Sequence, residues 1–228
     1  MKKQVIEIEG RSCTLYVDSN ADQIILQPVD SHDLEAIDSE VQTVCQYTSR
    51  PFSLVAFKIS DWQKELTAWA SPAVFGKVPF GDGAADTLRY VTDYLMPALR
   101  AMNISSAENP LFLLGGYSLA GLFALWAGTV TDVFSGIAAV SPSVWYPKWT
   151  DYAEKNTMLS GAVYLSLGDK EEKVKNQIMA QVGNALRRQH DLLLKQGCKT
   201  VLEWNSGNHF TDADKRTGRG FAWLLNNI

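Results

Sequence analysis

The stretch from Phe112 to Phe123, FLLGGYSLAGLF, places one serine, Ser118, between a pair of glycines and an apolar run. A serine hydroxyl is a weak nucleophile near neutral pH and needs a base beside it and an acid to orient that base. Three histidines are available. His190 lies in LRRQHDLLLKQG, on the polar flank of an amphipathic helix, and His32 lies in the first turn of a helix that follows an apolar run. His209 differs: EWNSGNHF puts it in a Gly/Asn-rich loop directly after the last predicted strand. For the acid, VYLSLGDKEEKVKN offers Asp169, Glu171 and Glu172 just past Gly168. Glu171 has the G-x-x-E spacing that turns a carboxylate back toward a strand end, whereas Asp169 is placed to end the strand or cap a helix. Nucleophile, acid and base in that chain order are the parts of acyl transfer through a covalent intermediate. The plainer alternative makes Ser118 a helix N-cap and the three acids a first turn that favours a helix dipole.

That chemistry requires the three groups to meet at one edge of a sheet. Alternating apolar residues predict strands at Val5 to Glu9, Cys13 to Val17, Gln23 to Val29, Leu54 to Ile59, Leu111 to Leu114, Ile137 to Val140, Ala162 to Leu167 and Thr200 to Trp204. Helical stripes fall between them: Leu34, Ile37, Val41 and Val44 after an Asp30-Ser31 cap, then Leu88, Val91, Leu95 and Leu99 within Ala84 to Met102. Further helices are predicted from Ser118, near Pro147, from Glu172 to Gly197 with Val174, Ile178, Val182 and Leu186 on one face, and from Asp212 onward. Strand and helix alternate from residue 23, which predicts an α/β fold: a mostly parallel central sheet with helices on both faces. No repeat or linker divides residues 1–228, so one domain is expected. Ser118 then stands at a sharp strand-to-helix turn, where residues two positions either side must be small. They are Gly116 and Ala120, with the usual second glycine delayed to Gly121.

Composition narrows the classes. A net charge of −4, from 21 basic and 25 acidic residues interspersed, gives no footprint for nucleic acid or an anionic membrane. No run approaches the roughly 18 apolar residues of a membrane span, and MKKQVIEIEG alternates with glutamates instead of forming the core of a signal peptide. Cys13, Cys45 and Cys198 have no metal-like spacing and predict reduced, structural thiols in a cytoplasmic protein. No ligand cluster calls for a metal, and the chemistry requires no cofactor. The segment SDWQKELTAWASPAVFGKVPFGDGA, at about 60–84, is too long for an ordinary connection. Its Trp62, Trp69, Phe75 and Phe80, with Trp145 and Tyr146 further on, either cap the site and line a pocket or form a loop's own small core.

GGYSLAG at 115–121, AAVSPSVWYP at 138–147, LGDKE at 167–171 and SGNHF at 206–210 together resemble the esterase family of the α/β-hydrolase superfamily that includes enterochelin esterase, S-formylglutathione hydrolase and feruloyl esterases. The likeness extends over nearly the whole chain from about residue 23. It implies the α/β-hydrolase fold, a small-molecule ester as substrate, and Ser118 as nucleophile, Glu171 as acid and His209 as base. The Leu119 amide would face the oxyanion. Members with a clear oxyanion motif carry His-Gly after the third strand, whereas this chain reads QPVDSHD, which leaves Val29 or Asp30 for the second donor. A thioesterase, an acyltransferase or a non-catalytic binding protein on the same fold are the alternatives.

Overall fold

The computed structural model describes residues 1–228. Eight strands form one sheet: β1 (Lys2–Ile8), β2 (Arg11–Val17), β3 (Gln23–Val29), β4 (Ser53–Lys58), β5 (Leu111–Tyr117), β6 (Phe134–Val140), β7 (Ala162–Gly168) and β8 (Lys199–Asn205). Their spatial order is β1-β2-β4-β3-β5-β6-β7-β8. Pairing is antiparallel from β1 to β2 and from β2 to β4, and parallel from β4 onward. The parallel strands β3 and β7 are buried along their entire length, which is why they read as mainly apolar runs, broken only by Gln23 and Gln27 in β3 and Ser166 in β7. The edge strand β1 carries exposed Lys2 and Lys3 and alternates half-buried with exposed positions, as befits a strand open on one side.

Helices α1 (Ser31–Tyr47) and α8 (Ala213–Asn227) cover one face, where Ile37, Val41 and Val44 meet Phe221, Leu224 and Leu225. The other face is covered by α3 (Ala84–Tyr90), α4 (Met96–Ala101), α5 (Leu119–Val130), α6 (Trp149–Lys155) and α7 (Val182–Lys195), while α2 (Trp62–Glu65) is a single short turn. The helix predicted from Ala84 to Met102 is present, with a π-helical stretch, Val91–Leu95, between α3 and α4. Pro97 explains the stretch: it has no amide to give, and the ladder shifts so that Met96 N–H reaches Val91.

The helix expected from Glu172 begins ten residues later, at Val182. Val174 and Ile178, assigned to its buried face, are 36% and 49% exposed. Asn176 accounts for the difference. Its side-chain carbonyl accepts from the amides of Ile178 and Met179, and its amide donates to Val74 O, giving the backbone local partners that compete with a helix.

Candidate active site

The turn after β5 gives Ser118 φ 58° and ψ −118°, a conformation that L residues rarely adopt. Small neighbours make it feasible. A Cβ on Gly116 would lie 2.6 Å from the Ala120 Cβ, so the methyl at 120 fits because 116 has none. Gly121 clears the Gly116 carbonyl and Pro142. Ser118 occupies the N-cap position of α5, yet its hydroxyl makes no capping bond. Instead Ser118 Oγ lies 3.1 Å from His209 Nε2 and 3.2 Å from Ser143 Oγ.

The other imidazole nitrogen, Nδ1, lies 2.7 Å from Glu171 Oε2. The second oxygen of Glu171 accepts from Ser141 Oγ at 2.7 Å, Gly168 N–H at 2.8 Å and Arg216 Nη1 at 3.2 Å. Burial pushes the Glu171 carboxyl up, but the hydrogen bond and charge of His209, with the Ser141 hydroxyl and the Gly168 amide, outweigh it and hold the pKa below the usual value. Asp169 does not reach the imidazole. Its carboxylate accepts from Gly207 N–H at 2.8 Å and thereby ties the loop that carries His209 to the end of β7.

Arg216 organises this edge from the opposite side. It is 1% exposed on α8 and donates to Glu171, to Tyr117 OH at 3.1 Å and to Ser206 O at 3.0 Å. Tyr117 OH in turn donates to the His209 carbonyl at 2.8 Å, and burial followed by the nearby Glu171 charge pushes its pKa up to about 12. One guanidinium therefore touches groups at the ends of β5, β7 and β8. Arg216, Tyr117, Ser141 and Ser143 were not singled out in the sequence. A signal was present for Arg216, because it falls in phase with Gly220 and Leu224 on the buried stripe of α8, where a charge requires a partner.

A cavity of about 210 Å³ opens above Ser118, walled by Trp62, Tyr117, His209 and Phe210, with Asp30 and Asp33 at its edge. Of the six aromatic residues considered for a pocket, Trp62 lines it; Phe75 does not, nor do Trp69, Phe80, Trp145 and Tyr146. Their rings pack on each other and on Phe75 and Tyr152 at 5.2–6.1 Å, Trp69 Nε1–H donates to Pro147 O, and Tyr146 OH donates to Trp69 O. Mutual burial of the rings has made them the segment's own core and pinned it beside residues 145–147. Phe210, 88% exposed at the cavity mouth, takes the place expected for them. His32 stands at the same cavity with its ring exposed, and His190 is half-buried on α7.

Leu119 N–H opens α5 beside Ser118, in the first turn where helix amides lack internal partners. The two amides considered for a second donor differ from that expectation. Val29 lies fully buried in the β3–β4 ladder, and Asp30 N–H donates to the Asp33 carboxylate at 3.1 Å in a capping box that opens α1. Burial, opposed by that hydrogen bond, pushes the Asp33 pKa up to about 6.

No protein-family model matches the sequence, and no curated protein sequence matches it. Solved structures do. An IroE-like serine hydrolase from Shewanella oneidensis superposes with a TM-score of 0.81 at 15% identity, over 99% of this chain and 81% of that one. Siderophore hydrolase EstA from Aspergillus nidulans gives 0.75 at 17% identity, over 99% and 94%. Enterobactin esterase FES from Shigella flexneri, solved in the presence of enterobactin, gives 0.71 at 16% identity, over 99% and 58%. The fold is that of the α/β hydrolases. In this fold, Ser118, Glu171 and His209 follow the carboxyl ends of β5, β7 and β8, the edge at which open parallel sheets hold ligands. No group of three His, Cys, Asp or Glu side chains is arranged to hold a metal ion, and no helix is long and apolar enough to cross a membrane.

Proposed function

We propose that the protein is a serine esterase that cleaves a small-molecule carboxylic ester through an acyl-enzyme intermediate. The observation that carries this reading is the hydrogen-bonded line Glu171–His209–Ser118, 2.7 Å and 3.1 Å, ending on a hydroxyl held at positive φ. His209 Nε2 takes the proton of Ser118 as Oγ attacks the ester carbonyl, and Glu171 holds Nδ1–H and stabilises the imidazolium. His209 then passes that proton to the leaving alcohol. A water, deprotonated by the same nitrogen, releases the acid and restores Ser118.

Leu119 N–H faces the developing oxyanion. Asp30 N–H can serve as the second donor only if the Asp33 carboxylate that holds it at rest gives way to the oxyanion. The names of the structural neighbours, serine hydrolase, siderophore hydrolase and enterobactin esterase, support hydrolysis of an ester. The cavity above Ser118, bordered by Trp62 and Phe210, suits a small acyl or aryl group. The test is covalent labelling with a fluorophosphonate alongside hydrolysis of p-nitrophenyl butyrate. Both are expected in the parent and absent in a folded Ser118→Ala variant. A parent that neither labels nor hydrolyses, or a Ser118→Ala variant that does either, overturns the assignment.

A further inference from the structure

A second cavity, also about 210 Å³, lies between α1 and the start of α8 and shares Asp33, Tyr117 and Phe210 with the cavity above Ser118. Gln27 and Glu40 line it, 3% and 5% exposed. Gln27 Nε2 donates to Glu40 Oε2 at 3.2 Å, which leaves Gln27 Oε1 and Glu40 Oε1 buried without a partner. A buried acceptor with no donor is destabilising, and here two occur side by side. Turning the Gln27 amide over does not remove the defect, because its NH₂ would then be the group without a partner.

Charge points in the same direction. Asp33, Glu40, Asp212 and Asp214 all line this cavity. Lys215 pairs with Asp212 at the surface, and Arg216 is held by Glu171, so neither cation offsets Asp33, Glu40 or Asp214. Asp214 accepts from Ser39 Oγ at 2.5 Å, a neutral partner. His32 lies at the mouth with its ring 91% exposed. Burial pushes Glu40 well above the usual carboxylate range, and the charges of Asp33 and Asp214 add to the effect. The cavity thus holds two unpartnered oxygens, and Asp33 and Asp214 supply the negative charge that a bound cation would offset.

We propose that this cavity is a subsite for a primary ammonium group of the substrate, so that the esterase acts on esters that carry a protonated amine. The inference rests on the esterase reading given above. An ammonium brings three donors, no acceptor and one positive charge, which complements Gln27 Oε1, Glu40 Oε1 and the Asp33 carboxylate. A hydroxyl would satisfy one acceptor and leave the charge. An anion would be repelled, and no three of the acidic groups are arranged to hold a metal ion.

Two measurements test the proposal. The first compares hydrolysis of p-nitrophenyl ω-aminoalkanoates with that of p-nitrophenyl alkanoates of the same lengths. The second compares n-butylammonium with n-butanol as competitive inhibitors of p-nitrophenyl butyrate hydrolysis and as stabilisers in thermal melts. A hydrogen bond to a charged group is stronger than a neutral one, so n-butylammonium is expected to bind about tenfold or more tightly than the alcohol. One aminoalkanoate length should be favoured in kcat/KM by a similar factor. Glu40→Gln and Gln27→Met should each bring both ratios close to unity. Equal inhibition and equal melting shifts by amine and alcohol, or a preference that survives both substitutions, overturns the subsite. If p-nitrophenyl butyrate is cleaved without any preference for amines, the subsite alone has failed. If nothing is cleaved, the esterase reading has failed, and the melting shifts with n-butylammonium still decide the subsite.

Discussion

Replacing Glu171 with glutamine changes one atom of the site and tests most of its logic. Glu171 Oε1 accepts from three donors, Ser141 Oγ, Gly168 N–H and Arg216 Nη1. In Glu171→Gln the amide oxygen therefore stays at the Oε1 position, and the NH₂ turns toward His209 Nδ1, now 2.7 Å from Oε2. That nitrogen must then accept, the proton moves to Nε2, and Nε2 meets Ser118 Oγ as a donor that cannot act as a base. The wrong tautomer and the lost charge together cost up to about 10⁴ in turnover in the corresponding substitution of a serine protease, which is about 5.5 kcal/mol at 1.36 kcal/mol per tenfold. Stability falls as well, because Arg216, 1% exposed, loses its carboxylate partner. Breaking a buried pair costs about 3–5 kcal/mol, equivalent to about 6–20 °C at 2–4 °C per kcal/mol in a chain of this size. The assay is turnover of p-nitrophenyl butyrate with melting curves, beside Asp169→Asn, which keeps an oxygen for Gly207 N–H and should stay within about tenfold in turnover and lose at most about 1 kcal/mol. A Glu171→Gln protein that keeps more than about one hundredth of parental turnover, against the factor cited, refutes the tautomer argument. An unchanged melting temperature refutes the buried-pair argument.

Arg216→Met should lower the melting temperature by a comparable amount while Ser118 remains labelled by a fluorophosphonate, though more slowly; unchanged labelling and melting would show that the guanidinium positions nothing. Because the fold lowers the Glu171 pKa, its carboxylate stabilises the protein above the ordinary value of 4.5, and that stability is lost as pH falls through the lowered value; acid unfolding followed by fluorescence should show a shallower pH slope in Glu171→Gln than in the parent. Asp33 has the opposite sign: with its pKa raised from 3.8 to about 6, ionisation costs the fold up to about 3 kcal/mol as pH rises through that window. Asp33→Asn should thus raise the melting temperature at pH 8 and not at pH 4; an equal effect at both would contradict the assignment. Gly116→Ala places a Cβ 2.6 Å from that of Ala120 and should cost about 1–3 kcal/mol, and the double variant Gly116→Ala/Ala120→Gly should recover most of it in urea unfolding.

Much of this architecture was legible because buried parallel strands write themselves as apolar runs. Gln23–Val29 has the same bounds in sequence and structure, and Leu111 to Leu114 falls within β5. Chain order and loop chemistry singled out His209 among three histidines, and the G-x-x-E spacing favoured Glu171, the carboxylate found against it, over Asp169. What stayed hidden depends on contacts distant in sequence. The delayed start of α7 follows from Asn176, whose amide finds Val74, 102 residues away. The aromatic residues of the 60–84 segment have the right composition for either a pocket or a core, and only their packing against Trp145 and Tyr146 separates the two. Asp30 N–H looked free until Asp33, three residues on, closed a capping box around it.

Arg216 also sets a time. During synthesis the strands carrying Ser118, Glu171 and His209 leave the ribosome before α8 does, and folding of the emerging chain proceeds from its N-terminal parts. Until α8 docks, Glu171 lacks its guanidinium, Tyr117 lacks the donor that steadies it, and Ser206, at the base of the His209 loop, is untethered. The nascent polypeptide therefore carries all three reactive side chains in an unarmed arrangement. On the esterase reading, Ser118 would gain its nucleophilicity only when α8 closes over the sheet and brings one buried cation to Glu171.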